Sequence, residues 1–273
     1  MTESTPSAVT EQEREKVDET DAGQQQPMLY TENLTKTFGE FTAVNDVSFA
    51  IEPNETRALI GPNGAGKTTF QNLLTGALSV TDGDIFFKGE NITNKPPAER
   101  AIDGMVRKYQ VTSIYDSETV YENMCIALRG RSSSPLKLAF TQNDTDIRDR
   151  VIELLSIADL DGLEGEIAEN LSHGRRQWLE IMMAVSAEPD LLLLDEPTSG
   201  MSVGETNDTV DLINDIIKKE NTAVLVIEHD MEFIRKVANN ITVLHKGEII
   251  AEGDIDEIES NETVQEVYLG RSQ

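Results

Sequence analysis

Basic residues are scarce in this chain: 23 Lys and Arg stand against 50 Asp and Glu, a formal charge of −27. A surface so acidic repels phosphate backbones, which argues against nucleic acid as a partner. The deficit belongs to no single block. Glu11, Asp21, Asp82, Asp144, Asp159, Asp208 and Glu257 spread it along the chain, the pattern expected of a halophilic protein kept soluble in a salt-accumulating cytosol. Cysteine is nearly absent too. Cys125 cannot make an internal disulfide, which fits a reducing compartment, and its neighbours Asn123, Met124 and Ile126 offer no ligand set, so it reads as a small core residue. No apolar run approaches the roughly eighteen residues of a membrane span. The longest, 181-IMMAV-185 and 191-LLLL-194, are sized for core elements. No basic segment followed by an apolar stretch opens the chain, so no secretory signal is expected, and the compartment predicted is the cytoplasm.

The length suits one large domain or a core with an inserted subdomain. Residues 1–27 are polar and charged with no apolar face, so they are expected to form a disordered acidic tail. Order is expected from residue 28, in a single domain 28–273. Strand-like runs occur at 41-FTAVNDVSFAI-51, 56-TRALI-60 and 84-DIFFKG-89, separated by Pro-Asn, Gly-rich and Asp-Gly turns. A region of about 112–188 reads as helical; in 146-DIRDRVIELLSIADL-160, Ile147, Val151, Leu154 and Leu155 share one helical face. Strands resume at 190-DLLLLD-195, 222-TAVLVIE-228 and 241-ITVLHKG-247, with helical spacing over 205–220. Continuous Leu/Val/Ile strands alternating with helices predict an α/β fold whose parallel sheet is covered on both faces, interrupted by a helical insertion.

The segment 61-GPNGAGKT-68 fits the phosphate-loop pattern G-x-x-x-x-G-K-[ST]. It follows the strand 56–60 and opens a helix, as its mechanism requires. Gly64 and Gly66 allow backbone N–H groups to close on phosphate oxygens, and the helix N-terminus adds favourable partial charge. Lys67 would reach the β- and γ-phosphates, and the Thr68 hydroxyl would ligate Mg²⁺. A second apolar strand ends in Asp195 and Glu196, at the carboxyl edge where parallel sheets bind ligands. Asp195 can hold Mg²⁺ through water, and Glu196 can polarise the attacking water. His229 ends the next strand, placed to contact the γ-phosphate. Gln110 lies where strand-like sequence gives way to the helical insertion; a glutamine there could ligate Mg²⁺, or be an ordinary polar loop residue.

Taken together, residues 28–270 resemble the ATP-binding cassette (ABC) transporter ATPases. The resemblance rests on 61-GPNGAGKTT-69, Gln110, 171-LSHGR-175, LLLLDEP and His229, in the family's order. It implies a RecA-like P-loop NTPase core with an N-terminal antiparallel part and an inserted helical subdomain. It also implies ATP and Mg²⁺ as cofactors, bound between two cassettes arranged head to tail. The loop Gly61, Pro62, Asn63, Gly64, Ala65, Gly66, Lys67, Thr68 and Thr69 would hold the phosphates. Phe38 matches the aromatic that stacks on adenine, and Ser172 with the N–H of Gly174 would meet the partner's ATP. The family's usual LSGGQ is altered: His173 replaces a glycine and Arg175 the glutamine. Trp178 reads as a packing residue.

The segments 94-NKPPAER-100, 107-RKYQ-110, 228-EHDMEFI-234 and 265-QEVYLG-270 resemble the ATPases of branched-chain amino acid importers and their urea-importing relatives. RKYQ, LSHG-x-x-QWLEI and the brief spacer between 122-ENM-124 and the signature together resemble the urea branch more closely, so urea is the expected cargo and branched-chain amino acids the alternative. Such systems imply a second, usually different cassette, two membrane permease subunits that hold the ATPase at the inner face of the membrane, and an extracytoplasmic substrate-binding protein. A regulatory cassette outside transport, and a subunit with little turnover, remain alternatives.

Salt screens self-repulsion among surface carboxylates, and screening worth about 2 kcal/mol would raise the melting midpoint by roughly 5 °C. Circular-dichroism melts in dilute buffer and in molar KCl should show that rise; an unchanged midpoint would remove the halophilic reading.

Overall fold

A computed structural model describes residues 26–108, 114–130 and 144–269. The chain opens with β1 (Leu29–Phe38) and β2 (Phe41–Ile51), an antiparallel hairpin, then β3 (Thr56–Ile60) and α1 (Lys67–Leu74). There follow β4 (Asp82–Phe87), β5 (Glu90–Asn91), α2 (Pro97–Ile102) and β6 (Met105–Arg107). Next come α3 (Val120–Gly130), α4 (Asp144–Ile157) and α5 (His173–Val185), and then β7 (Leu191–Asp195), α6 (Val203–Glu220), β8 (Ala223–Ile227) and α7 (Met231–Val237). The end of the chain supplies β9 (Asn240–His245), β10 (Glu248–Gly253), α8 (Ile255–Ser260) and α9 (Glu262–Leu269).

Two sheets result. A six-stranded sheet has the order β10-β9-β3-β8-β7-β6, and all its neighbours are parallel except β10 against β9. A four-stranded antiparallel sheet has the order β2-β1-β4-β5. The predicted parallel sheet is therefore present, with one antiparallel edge strand added by the hairpin at Lys246–Gly247, both of positive φ. Side-chain alternation explains why its strands read as unbroken apolar runs. In β8, Val224 and Val226 face one core with α3 to α7, while Ala223, Leu225 and Ile227 face a second core with α1 and the antiparallel sheet. The same alternation divides Leu192 and Leu194 from Leu191 and Leu193 in β7. Both faces are covered, one by helices and the other chiefly by a sheet.

Between β6 and β7 the described chain carries the helices α3, α4 and α5 and no strand of either sheet. The face read from sequence in α4, Ile147, Val151, Leu154 and Leu155, is buried against the core, and so is Cys125. Trp178 is buried as well, and its indole N–H donates to Thr209 Oγ1 at 2.9 Å, tying α5 to α6.

Arg100 is the largest fully buried side chain, 2 % exposed. Its guanidinium donates to the carbonyls of Leu73 (2.8 Å) and Leu74 (2.5 Å), and to those of Thr93 and Lys95 (both 2.9 Å). A cation on the last carbonyls of α1 satisfies groups the helix cannot and complements its dipole. Burial pulls this guanidinium down to about 10, so it is charged at neutral pH. Arg100→Met should remove the guanidinium donor from all four carbonyls, of which Leu73 keeps the Gly76 N–H (3.1 Å), and cost about 3 kcal/mol. Urea unfolding would show it as a lowered midpoint at unchanged slope; a loss under about 0.5 kcal/mol would mean that water replaces the guanidinium.

Candidate nucleotide-binding site

The phosphate loop 61–66 lies where the two sheets meet. Gly66 has φ 109°, and a Cβ there would stand 2.5 Å from the Ala43 carbonyl of β2; at Gly61 a Cβ would collide with the Leu244 carbonyl of β9. Only glycine fits these approaches. From the other side Gly247 N–H donates to the Ala65 carbonyl at 2.8 Å, and Asn45 N–H to the Gly247 carbonyl at 2.8 Å. The loop leads into α1, whose first turn carries Lys67, Thr68 and Thr69. Lys67 Nζ donates back to the carbonyls of Gly61 (2.6 Å) and Pro62 (3.2 Å). Burial lowers the pKa of this ammonium, and the nearby Glu196 and Asp195 oppose that shift.

Asp195 ends β7 almost wholly buried and accepts from Arg107 at 3.1 Å. Arg107 also donates to Asn72 Oδ1 on α1 at 2.7 Å, so one guanidinium joins β6, β7 and the helix of the phosphate loop. Glu196 follows with φ 46°, a left-handed backbone that a non-glycine residue adopts at a cost of about 1 kcal/mol. Its N–H donates to the Ile227 carbonyl (2.9 Å) and its carbonyl accepts from Ser199 N–H (3.1 Å), so the turn is held from both sides. The turn lifts the Glu196 side chain to 43 % exposure beside His229, whose Nδ1 lies 4.0 Å from Glu196 Oε1 and which is itself 70 % exposed. His229 is aimed by a buried carboxylate: Glu228 accepts from His229 N–H (3.0 Å), Thr198 N–H (3.1 Å) and Thr198 Oγ1 (2.5 Å), joining the ends of β7 and β8.

The structure thus brings together Lys67, Asp195, Glu196 and His229. Ser172 and Gly174 belong to another cluster. Ser172 caps α5 by accepting from Arg175 N–H at 3.4 Å. Gly174 packs on Glu205, where a Cβ would be 2.6 Å from Oε1, and His173 Nε2 lies 3.0 Å from the Ser199 carbonyl. Phe38 closes the β1–β2 hairpin, 46 % exposed, with Lys36 Nζ 5.2 Å above its ring. Gln110 lies outside the described residues, as do residues 1–25 of the expected tail. Sequence reasoning missed Arg107, Lys108 and Glu228 as parts of the site; RKYQ and EHDM were quoted only as marks of resemblance.

The donor set fits a nucleotide with a divalent ion. An ammonium and the backbone N–H groups of a helix N-terminus suit phosphate. The exposed Thr68 and the carboxylate of Asp195 offer the one or two hard oxygens that Mg²⁺ takes besides phosphate and water. No helix among the described residues is long and apolar enough to cross a membrane.

Comparison with known proteins agrees. The family described as "ABC transporter" matches residues 44–199, more than half of the chain. The probable branched-chain amino acid transport ATP-binding protein LivG of Archaeoglobus fulgidus is 35% identical over 246 residues, covering 89% of this chain and 95% of that protein. The high-affinity branched-chain amino acid transport ATP-binding protein LivG of Escherichia coli strain K12 is 34% identical over 253 residues, covering 90% and 99%. Among solved structures, an ATP-binding cassette of an ABC transporter superposes with TM-score 0.79 at 32% identity, over 89% of this chain and 99% of that one. A cassette in its ADP conformation gives 0.78 at 31% identity, over 90% and 100%. By motif, geometry and relationship along nearly its whole described length, the chain belongs to the ATP-binding subunits of ABC transporters and is an ATPase.

Proposed function

We propose that this chain energises an importer of branched-chain amino acids, working at the inner face of the membrane on two permease subunits fed by an extracytoplasmic binding protein. The branched-chain transport roles of its relatives support the cargo. The carrying observation for the chemistry is the Glu196 turn: an exposed carboxylate in left-handed backbone, beside His229 and near Lys67. In this reading Lys67 leaves its own loop carbonyls to hold the β- and γ-phosphates, while the loop N–H groups take the remaining phosphate oxygens. Thr68, Asp195 and Gln110 would hold Mg²⁺, which when bound neutralises phosphate charge. Glu196 accepts a proton from water and His229 orients the γ-phosphate. Phosphoryl transfer needs positioning and electrostatics more than covalent chemistry, and the braced loop provides both.

Phe38 would stack on adenine, and two cassettes would close head to tail, Ser172 and the Gly174 N–H of each facing the other's γ-phosphate. A different second cassette is the expected partner. In this proposal the chain divides into a tail over 1–27 and a cassette over 28–273, with a helical subdomain over about 112–188. A second cargo, urea, is favoured by RKYQ and LSHG-x-x-QWLEI.

Two variants test the chemistry and one uptake measurement tests the cargo. Lys67→Ala should weaken ATP binding roughly 10- to 100-fold by removing charge-assisted phosphate contacts. Glu196→Gln should bind ATP normally and slow hydrolysis by about 100-fold or more. Equal affinity in the first, or wild-type turnover in the second, would remove the assigned role. For cargo, uptake of labelled leucine and labelled urea is compared in cells lacking the gene. Loss of leucine uptake alone supports the proposal, loss of urea uptake alone replaces it, and loss of neither reopens the non-transport alternative.

A further inference from the structure

Two consecutive cations, Arg107 at the end of β6 and Lys108 just after it, point to opposite sides of the strand. Arg107 reaches Asp195 and Asn72, as described. Lys108, 7 % exposed, turns the other way to α5, where its ammonium donates to Gln177 Oε1 and lies 3.3 Å from Glu180 Oε2, itself 9 % exposed. Gln177 and Glu180 are three residues apart and share a helix face. The Lys108 backbone is fixed as well: its N–H donates to the Leu193 carbonyl of β7 at 3.0 Å, two residues before Asp195. One residue therefore joins the strand that carries Asp195 and Glu196 to the helix that carries Ser172 and Gly174. A second link runs in parallel. His173, in the first turn of α5, holds Nε2 3.0 Å from the carbonyl of Ser199, three residues after Glu196. With Ser199 O as acceptor, the His173 tautomer there carries its proton on Nε2.

The link spends a buried cation. Burial lowers the Lys108 pKa, the Glu180 carboxylate opposes it, and an apolar pair would avoid the desolvation that this pair incurs. What an apolar pair lacks is direction. An ammonium with Gln177 on one side and Glu180 on the other fixes the rotation of α5 about its axis, and with it where the Gly174 N–H points.

We propose that Lys108 is a positioning residue for ATP hydrolysis, holding the first two turns of α5 in register with Asp195 and Glu196 through Gln177 and Glu180. The inference rests on the reading that Ser172 and Gly174 face a partner's ATP. Through Lys108, the end of α5 that serves one nucleotide is fixed to the carboxylates that serve the other.

The test uses the transporter complex purified by a tag on this chain, with kcat and KM for ATP measured in high KCl and ATP affinity measured on the free full-length chain. Lys108→Met should lower kcat roughly 10- to 100-fold, the scale for a misplaced reacting group, with KM and ATP affinity within about two-fold of wild type. Lys108→Met combined with Glu180→Met removes the stranded carboxylate. It should recover the melting temperature and remain slow, because methionine gives Gln177 no donor. Wild-type kcat in the single variant, parallel loss of ATP affinity, or recovery of kcat together with stability in the double variant would each overturn the proposal. Ser172→Ala separates the underlying reading. If that variant turns over at the wild-type rate while Lys108→Met is slow, the facing of α5 to a partner's ATP is wrong and the inference falls with it; if Ser172→Ala is slow and Lys108→Met is not, only the inference fails.

Discussion

Everything in the site depends on how closely the backbone packs around residues 61–66. The loop is held between the Ala43 carbonyl of β2, the Leu244 carbonyl of β9 and the N–H of Gly247. These contacts come from two segments on different sheets, β2 and the β9–β10 hairpin. The phosphate loop is thus the joint at which the antiparallel and parallel sheets are fixed to one another, not an ornament on one strand. Any side chain at Gly61 or Gly66 would have to push the sheets apart before it altered a single phosphate contact. Loop geometry and sheet packing are one constraint.

That constraint explains how the charged groups are placed. β9, β3, β8, β7 and β6 are parallel and run side by side, so their carboxyl ends reach one edge together. Lys67, Asp195, Glu196 and His229 follow from that edge. Their fine positions come from a further layer of buried polar groups. Glu228 directs the backbone of His229 and Thr198, and Arg107 holds Asp195 against α1. Buried carboxylates and guanidiniums with all these partners rigidify the groups they touch. The exposed Glu196 and His229 stand on rigid supports, as a group meant to meet a ligand should.

Much of this was legible in the sequence, for physical reasons. Strands β2 and β3 were read with the bounds they have, because β-branched and apolar runs end at Pro-Asn and Gly-rich punctuation. The phosphate loop was readable because its glycines are demanded by geometry rather than by taste. The antiparallel edge strand β10 was not read, since 248-EIIAEG-253 is short and half-exposed and carries no strong period. The roles of Arg107, Lys108, Glu228 and Arg100 were hidden for another reason. Charged residues in a sequence read as solvated by default, and nothing local says that Arg100 meets carbonyls of residues 73, 74, 93 and 95. Only the fold brings those segments together.

The charge balance can now be seen as two populations. Acidic residues dominate the total, and many of them lie at exposed positions. Several of the few cations are turned inward instead: Arg57 against Glu55, Arg100 on helix carbonyls, Arg107 on Asp195, Lys108 on Gln177 and Glu180. An inward cation is shielded from solvent ions, so its contacts weaken little as salt rises, whereas exposed pairs are screened. The arginines and lysine under the phosphate loop, the acidic pair and α5 act where screening is least, which reconciles a net charge of −27 with a binding site built for phosphate.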